Sequence, residues 1–378
     1  MGDIYPVVKV AAVQAASVFL DRAGSADKAC HLIREAGRNG AQLIAFPEGF
    51  IPAHPVWYHH HPATSAIANK LAVELFKNSV EIPGPEIKAL CAAARDANAY
   101  VVMGVCEKLP QTLGTMFNTQ VWIDPDGQLL GKHQKIMPTV GERLVHMGGF
   151  GDTFGAFQTG FGPVSGLICG ENSNPLAVFG LIAEGTRIHV MSWPNHFPTS
   201  GDPMRNRVAI DSQAFAQMSK AYVVSACGVV DEAMIQKLQV GSDGEKFLRN
   251  PDFCGGSVIV GPNSRILAGP MGAEENILYA ECNLEAGISM KLRHDFAGHY
   301  NRPDIFQLHI NRSAPHIYTV HSAQEHAAMP DPVPETRALP GAAPALPNAE
   351  ARDVASPAQP KHAQLGDGNI RKQPLDTE

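Results

Sequence analysis

The sequence has no apolar run long enough to cross a bilayer, no C-x-x-C pair and no excess of basic charge. Its 378 residues carry 30 Lys and Arg against 37 Asp and Glu, a formal net charge of −7. That balance argues against a nucleic-acid or anionic-membrane surface. Cysteines stand at 30, 91, 106, 169, 227, 254 and 282, an odd set without disulfide-framework or zinc spacing. Free thiols in a reducing, cytoplasmic compartment are the expectation. The opening MGDIYPVVKVAAVQAA lacks the basic segment and long apolar stretch of a secretory signal, and it passes directly into strand-like sequence. Aromatic residues run out as well: no Phe, Trp or Tyr follows Tyr318, and from Pro330 onward Pro, Ala and polar residues dominate. Such a segment buries too little apolar surface to offset its ordering entropy. Residues 1–312 therefore read as the folded domain, and 313–378 as a Pro/Ala-rich extension that is mostly disordered beyond about 320.

What is present is an alternation of strand and helix signals over an apolar content of 44%. Residues 7–14, 42–48, 100–107, 188–194, 222–227 and 277–282 read as strands. Residues 26–38, 64–79, 86–97, 175–184 and 204–220 read as helices. Two hairpins are expected, one turning at Asp124-Pro125-Asp126-Gly127 and one around Gly261-Pro262-Asn263-Ser264. They occupy similar places in two similar strand–helix runs, and hairpins in both halves count against a single all-parallel sheet. The expectation is an α/β protein built as a four-layer α-β-β-α sandwich, each of two sheets covered by helices on one side.

Three polar residues end apolar strands. Glu48 ends LIAFPE, Lys135 ends QLLGKHQK and Cys169 ends GLIC. In α/β folds the rim at the carboxyl ends of strands is where sites are built, so a carboxylate, a cation and a thiol distant in sequence can meet there. Taken singly, each has an ordinary reading: a capping carboxylate, a solvated edge lysine, a buried inert thiol. After Cys169, Asn172 or Ser173 reads as a helix N-cap and Pro175 as a first-turn residue, which sets the thiol on a strand-to-helix elbow where a helix N-terminus favours thiolate. The loop after Glu48, PAHPVWYHHHPATS, offers Trp57 and Tyr58 as walls of a pocket, with ordinary packing equally open, and Trp193 ends another strand. Three consecutive histidines, His59, His60 and His61, point in different directions in most backbones, so no metal site is expected there.

The motifs FPE at 46–48, HQKIMPT at 133–139 with Glu142 and Arg143, and CGEN at 169–172 resemble the nitrilase, or carbon–nitrogen hydrolase, superfamily. CGENSNPLA, SWP at 192–194 and GHYNRPD at 298–304 resemble its nitrilase branch, and the similarity spans about residues 6–310. Gly170 and Glu171 follow the cysteine where the amidase branches usually carry an aromatic residue and an acid. The resemblance implies that Cys169 is a nucleophile, Glu48 a general base and Lys135 a stabiliser of charge on the former nitrile nitrogen, with the Gly170 N–H assisting. Glu142 resembles the family's second glutamate, which orients the lysine and the substrate. It implies hydrolysis of a small-molecule nitrile by water through a thioimidate and a thioester, without metal or organic cofactor. It also implies homo-oligomers, with dimers stacking into spirals or filaments. The rival activity is an amidase or a cyanide hydratase, which the same triad supports. A scaffold that has kept only the fold is a third reading, disfavoured by the intact Glu48, Lys135 and Cys169.

Overall fold

A computed structural model describes residues 2–197 and 201–314. Most of the extension anticipated over 313–378 lies outside the described residues.

Among the described residues, twelve strands form two six-stranded sheets. The first has the order β12-β1-β2-β3-β4-β5: β1 is Val7–Gln14, β2 Leu43–Ala45, β3 Tyr100–Lys108, β4 Met116–Ile123, β5 Leu129–Gln134 and β12 Asn276–Asn283. The second has the order β11-β10-β9-β8-β7-β6: β6 is Phe157–Thr159, β7 Gly162–Ile168, β8 Ile188–Trp193, β9 Tyr222–Cys227, β10 Val258–Val260 and β11 Ile266–Ala268. The hairpins anticipated from Asp124–Gly127 and Gly261–Ser264 are β4–β5 and β10–β11. In the first, Asp124 Oδ1 accepts from the Asp126 and Gln128 amides, and Gly127 takes the left-handed conformation the turn requires. The last strand behaves differently from its sequence neighbours: β12 leaves the second sheet and pairs antiparallel with β1.

The four layers follow from which faces are buried together. In β1, Val8, Val10 and Ala12 pack against Val164, Ile188, Val190 and Val224 of the other sheet. The alternate residues Ala11 and Val13 pack against Ala29, Ile33, Leu90 and Ala94. Those come from α1 (Arg22–Arg38) and α3 (Pro85–Ala97). A strand buried on both faces has no polar side, which is why β1 reads as a nearly continuous apolar run. On the far side Met191, Val223 and Val258 pack against Val178, Val208 and Phe215 of α4 (Pro175–Ala183) and α5 (Met204–Ser219).

Further helices are α2 (Ala66–Asn78), α6 (Glu232–Leu238), α7 (Ser242–Leu248) and α8 (Ala286–Lys291). Helix α1 begins earlier than its apolar periodicity suggests, because Asp21 caps it by accepting from the Gly24 amide. No helix among the described residues is long and apolar enough to cross a membrane.

Candidate active site

Three strand ends from the two sheets build the site. Glu48 follows β2 in a loop laid against β3: a Cβ on Gly104 would meet the Pro47 carbonyl at 2.0 Å, so only glycine lets the loop approach so closely. The Glu48 amide donates to the Trp193 carbonyl at 3.0 Å, which ties this loop to the second sheet. Lys135 follows β5, its amide donating to the Asn118 carbonyl at 2.8 Å. Its ammonium donates at 2.7 Å to Glu48 Oε1 and at 2.7 Å to Glu142 Oε2. Glu142 sits in the 3-10 turn Val140–Leu144 and is fully buried. Asn118, near the start of β4, bridges the two carboxylates, its Nδ2 donating to Glu48 Oε1 at 2.6 Å and to Glu142 Oε1 at 2.7 Å. Glu48 Oε2 accepts no hydrogen bond among the described residues, which leaves one oxygen of the buried carboxylate free.

Cys169 begins a 3-10 turn directly after β7 and holds φ at 51°, a left-handed value rare for a residue with a Cβ. Such a conformation costs of order 1–3 kcal/mol and persists where the surroundings over-determine it. They do so here: Asn172 Nδ2 donates to the Cys169 carbonyl at 2.9 Å, and Asn172 Oδ1 lies 2.9 Å from Nε2 of the buried His189. Helix α4 begins at Pro175 as expected, but its cap lies one or two residues later than the Asn172 or Ser173 anticipated. Its N-cap is Asn174, accepting from Leu176 and Ala177, with Pro175 in the first helical position. The thiol and the acid–base cluster open onto one cavity of about 240 Å³, whose lining includes Glu48, Lys135, Glu142, Cys169 and Gly170.

The model of the carbon–nitrogen hydrolase family matches residues 9–291. This chain belongs to the carbon–nitrogen hydrolase family. A nitrilase of Bacillus sp. (strain OxB-1) is 34% identical to it over 325 residues, 85% of this chain and 94% of that protein. An aliphatic nitrilase of Rhodococcus rhodochrous is 35% identical over 308 residues, 80% of this chain and 79% of that one. A solved carbon–nitrogen hydrolase from Helicobacter pylori shares the fold with a TM-score of 0.62 at 18% identity, over 79% of this chain and 97% of that one.

The electrostatics of this carbon–nitrogen hydrolase divide the two carboxylates. Burial pushes Glu48 up to about 7 against the opposing pull of Lys135, and the charge on Glu142 pushes it further the same way. Burial would raise Glu142 too, but Lys135 and the hydrogen bond from His146 outweigh it and hold the carboxyl well below its usual range. Lys135 is buried, which alone would lower it, yet Glu48 and Glu142 together keep it protonated well above the ordinary lysine value. The resting cluster is an ammonium–carboxylate pair with a second carboxyl poised to take or give a proton near neutrality. Burial pushes the Cys169 thiol well up, with the Glu48 charge adding to the effect. The thiolate expected from a nearby helix N-terminus is therefore not the resting form. Burial is the main cause, and Cys169 precedes α4 by a full 3-10 turn.

The other anticipated residues separate. Tyr58 and Trp193 line the cavity, and the Tyr58 hydroxyl lies 2.9 Å from His54 Nε2. Trp57 does not line it: at 2% exposure it packs among Phe19, Leu71, Leu75 and Met234, because successive side chains of its 3-10 turn diverge by about 120°. The histidine run diverges as the backbone argument implies. His59 lines the cavity, His60 packs against Phe247 and His61 Nε2 meets the Leu238 carbonyl at 2.7 Å. Burial lowers His54 to about 3 and His59 to about 4, so this wall is neutral. Ligand atoms of Glu48, His54 and Glu142 lie within 4.8 Å of one another. The Lys135 ammonium already lies between the two carboxylates, so the group suits a lysine rather than a metal ion. Asn118, His54 and His146 carried no assigned role in the sequence. The signal for Asn118 was available: Asn-Thr-Gln is a polar run inside an otherwise apolar strand, and all three residues are buried.

Proposed function

We propose that this carbon–nitrogen hydrolase is a nitrilase that converts a small organic nitrile and water to a carboxylic acid and ammonia. The observation that carries the reading is one cavity shared by Cys169 and by a lysine held between two carboxylates, one of which keeps a free oxygen. In this reading Glu48 takes the thiol proton as sulfur attacks the nitrile carbon, one C–N π bond opens, and Glu48 passes that proton to the nitrogen to give the thioimidate. Lys135 stabilises the developing charge on nitrogen, with Glu142 holding the ammonium in place and the Gly170 amide near the sulfur assisting. Water adds with Glu48 as base, and the nitrogen leaves as ammonia. A second water then hydrolyses the thioester and restores the thiol. Lys135 supplies the positive charge, so no step needs a metal or an organic cofactor. Tyr58 and Trp193 bound the substrate pocket.

Nitrilase relatives at 34–35% identity over 80–85% of the chain favour this reading over an amidase or cyanide hydratase. The test is a panel of aliphatic, aryl and arylacetonitriles with the matching carboxamides, scored for ammonia, acid and amide. Acid and ammonia from a nitrile support the proposal. Turnover of carboxamides alone, or of nothing, defeats it.

We further infer a homo-oligomer, with dimers that stack into a spiral or filament. A groove of about 720 Å³ between α4, α5 and residues 296–308 supports it, as does the exposed apolar surface there, including Phe306 at 72% exposure. Seven free cysteines support a cytoplasmic location. The composition change near residue 313 supports a hydrolase domain over 1–312 followed by an extension outside the chemistry.

A further inference from the structure

Glu171 is a buried carboxylate two residues after Cys169. It has no Lys or Arg partner among the described residues. Its Oε1 accepts from the Ile136 amide at 2.6 Å. Its Oε2 accepts from the Ile168 amide at 2.9 Å and lies 3.0 Å from His133 Nε2. Ile136 directly follows Lys135, and His133 precedes it by two places on β5. Ile168 directly precedes Cys169. A single carboxylate is thus bonded to both flanks of the cation and to the residue before the nucleophile. The two strands it joins have no backbone ladder between them, because β5 is an edge of the first sheet and β7 lies in the second.

We propose that Glu171 is the positioning residue that sets the separation of Lys135 from Cys169, and with it the partition between carboxylic acid and carboxamide. The proposal rests on the nitrilase reading above. After water adds to the thioimidate, the tetrahedral carbon bears sulfur, oxygen and nitrogen. If the C–N bond breaks with nitrogen protonated, ammonia leaves and the thioester goes on to acid. If the C–S bond breaks with the proton returned to sulfur, the carboxamide leaves and the thiol is restored. Lys135 can favour the first outcome only while its ammonium stays at the nitrogen. Loosening the clamp lets the lysine strand and the cysteine elbow drift apart, which weakens nitrogen departure and lets sulfur leave instead.

Glutamine cannot replace the clamp. It has one acceptor oxygen and one NH₂, so either the Ile136 or the Ile168 amide must face a second donor. A buried N–H left without an acceptor is costly, which favours moving the loop to find one. The experiment compares wild type, Glu171→Gln and His133→Phe on a nitrile the wild type turns over, measuring kcat, KM and the carboxamide fraction per Cys169 titratable with iodoacetamide. For Glu171→Gln we expect kcat to fall by about tenfold or more, KM to stay within about threefold and the carboxamide fraction to rise severalfold, since a displacement near 1 Å costs up to about 10²-fold. His133→Phe removes one of three donors and should move the fraction in the same direction by less, which gives a readout if Glu171→Gln does not fold. A lower rate explained wholly by fewer titratable thiols, or a carboxamide fraction unchanged in the folded variants, overturns the proposal. A wild type that releases neither acid nor carboxamide from any nitrile overturns the nitrilase reading and this inference together.

Discussion

Glu142 Oε2 accepts from the Lys135 ammonium at 2.7 Å, as close as the contact Glu48 makes on the same nitrogen. The second carboxylate is therefore part of the electrostatics of the first. Its charge is one cause of the raised Glu48 value, and its removal must lower that value. In Glu142→Gln the acid limb of kcat/KM, where Glu48 loses its basic form as pH falls, should move to lower pH. The rate itself should fall by about 10²–10³, because the ammonium is no longer held at the reacting nitrogen. A pH–rate profile measures both effects, and an acid limb that stays put or moves upward contradicts the coupling.

The same group carries a stability prediction. The folded-state value of Glu48, about 7, lies above the ordinary 4.5, so the folded chain binds this proton more tightly than the unfolded one. Its stabilising contribution is full below the ordinary value and is lost as pH rises through the folded value. Glu48→Gln should melt higher than wild type at about pH 8, by roughly 2 °C or more, with the difference shrinking near pH 5. Turnover should drop by about 10²–10⁴. Melting curves at the two pH values check it; a variant less stable at the higher pH shows that the bond to Lys135 outweighs the burial cost.

Cys169→Ala should abolish turnover while leaving the fold intact, because the proposed role is covalent and the alanine can keep the same left-handed backbone at similar strain. Intact-mass measurement with a slow nitrile should find an adduct on wild type alone. Nitrile hydrolysis surviving in the alanine variant rules out the assignment.

The assembly inference is tested on the apolar face. Leu176→Asp and Phe306→Asp place a charge on exposed positions there, so each should lower particle mass with little effect on the melting temperature. Light scattering across micromolar concentrations measures it. A wild type that is monomeric throughout that range removes the premise.

Much of this was legible in the sequence, for a physical reason. Glu48 and Cys169 each follow an apolar strand and stand out against their neighbours, whereas Lys135 follows the polar run Lys132-His133-Gln134 and is marked only by its place at a strand end. The sandwich was legible because the hairpins at Asp124–Gly127 and Gly261–Ser264 punctuate two similar runs. What escaped depended on contacts between distant segments. Asn118 bridges to Glu48 across 70 positions, and β12 returns to β1, which no local pattern encodes. Trp57 and Tyr58 are adjacent, yet one enters the core and the other the cavity, a choice set by the turn that carries them. Glu171 was visible as a residue type, but its three donors come from two separate segments, His133 with Ile136 and then Ile168.

Glu48 and Lys135 extend from one sheet and Cys169 from the other, so the proposed reacting groups straddle the seam of the sandwich. That seam is stitched beside them by Gln120 Nε2 donating to Ser192 Oγ at 2.9 Å and by Ser192 Oγ donating to the Phe46 carbonyl at 2.9 Å. A Cβ on Gly166 would meet Gln120 Oε1 at 2.4 Å, so the two sheets press together there with no room for a methyl group. On the proposed mechanism the site reads its own layer alignment: a sideways slip of one sheet over the other, too slight to break any strand pairing, would separate the proposed base from the proposed nucleophile and silence the chemistry while the protein still counts as folded.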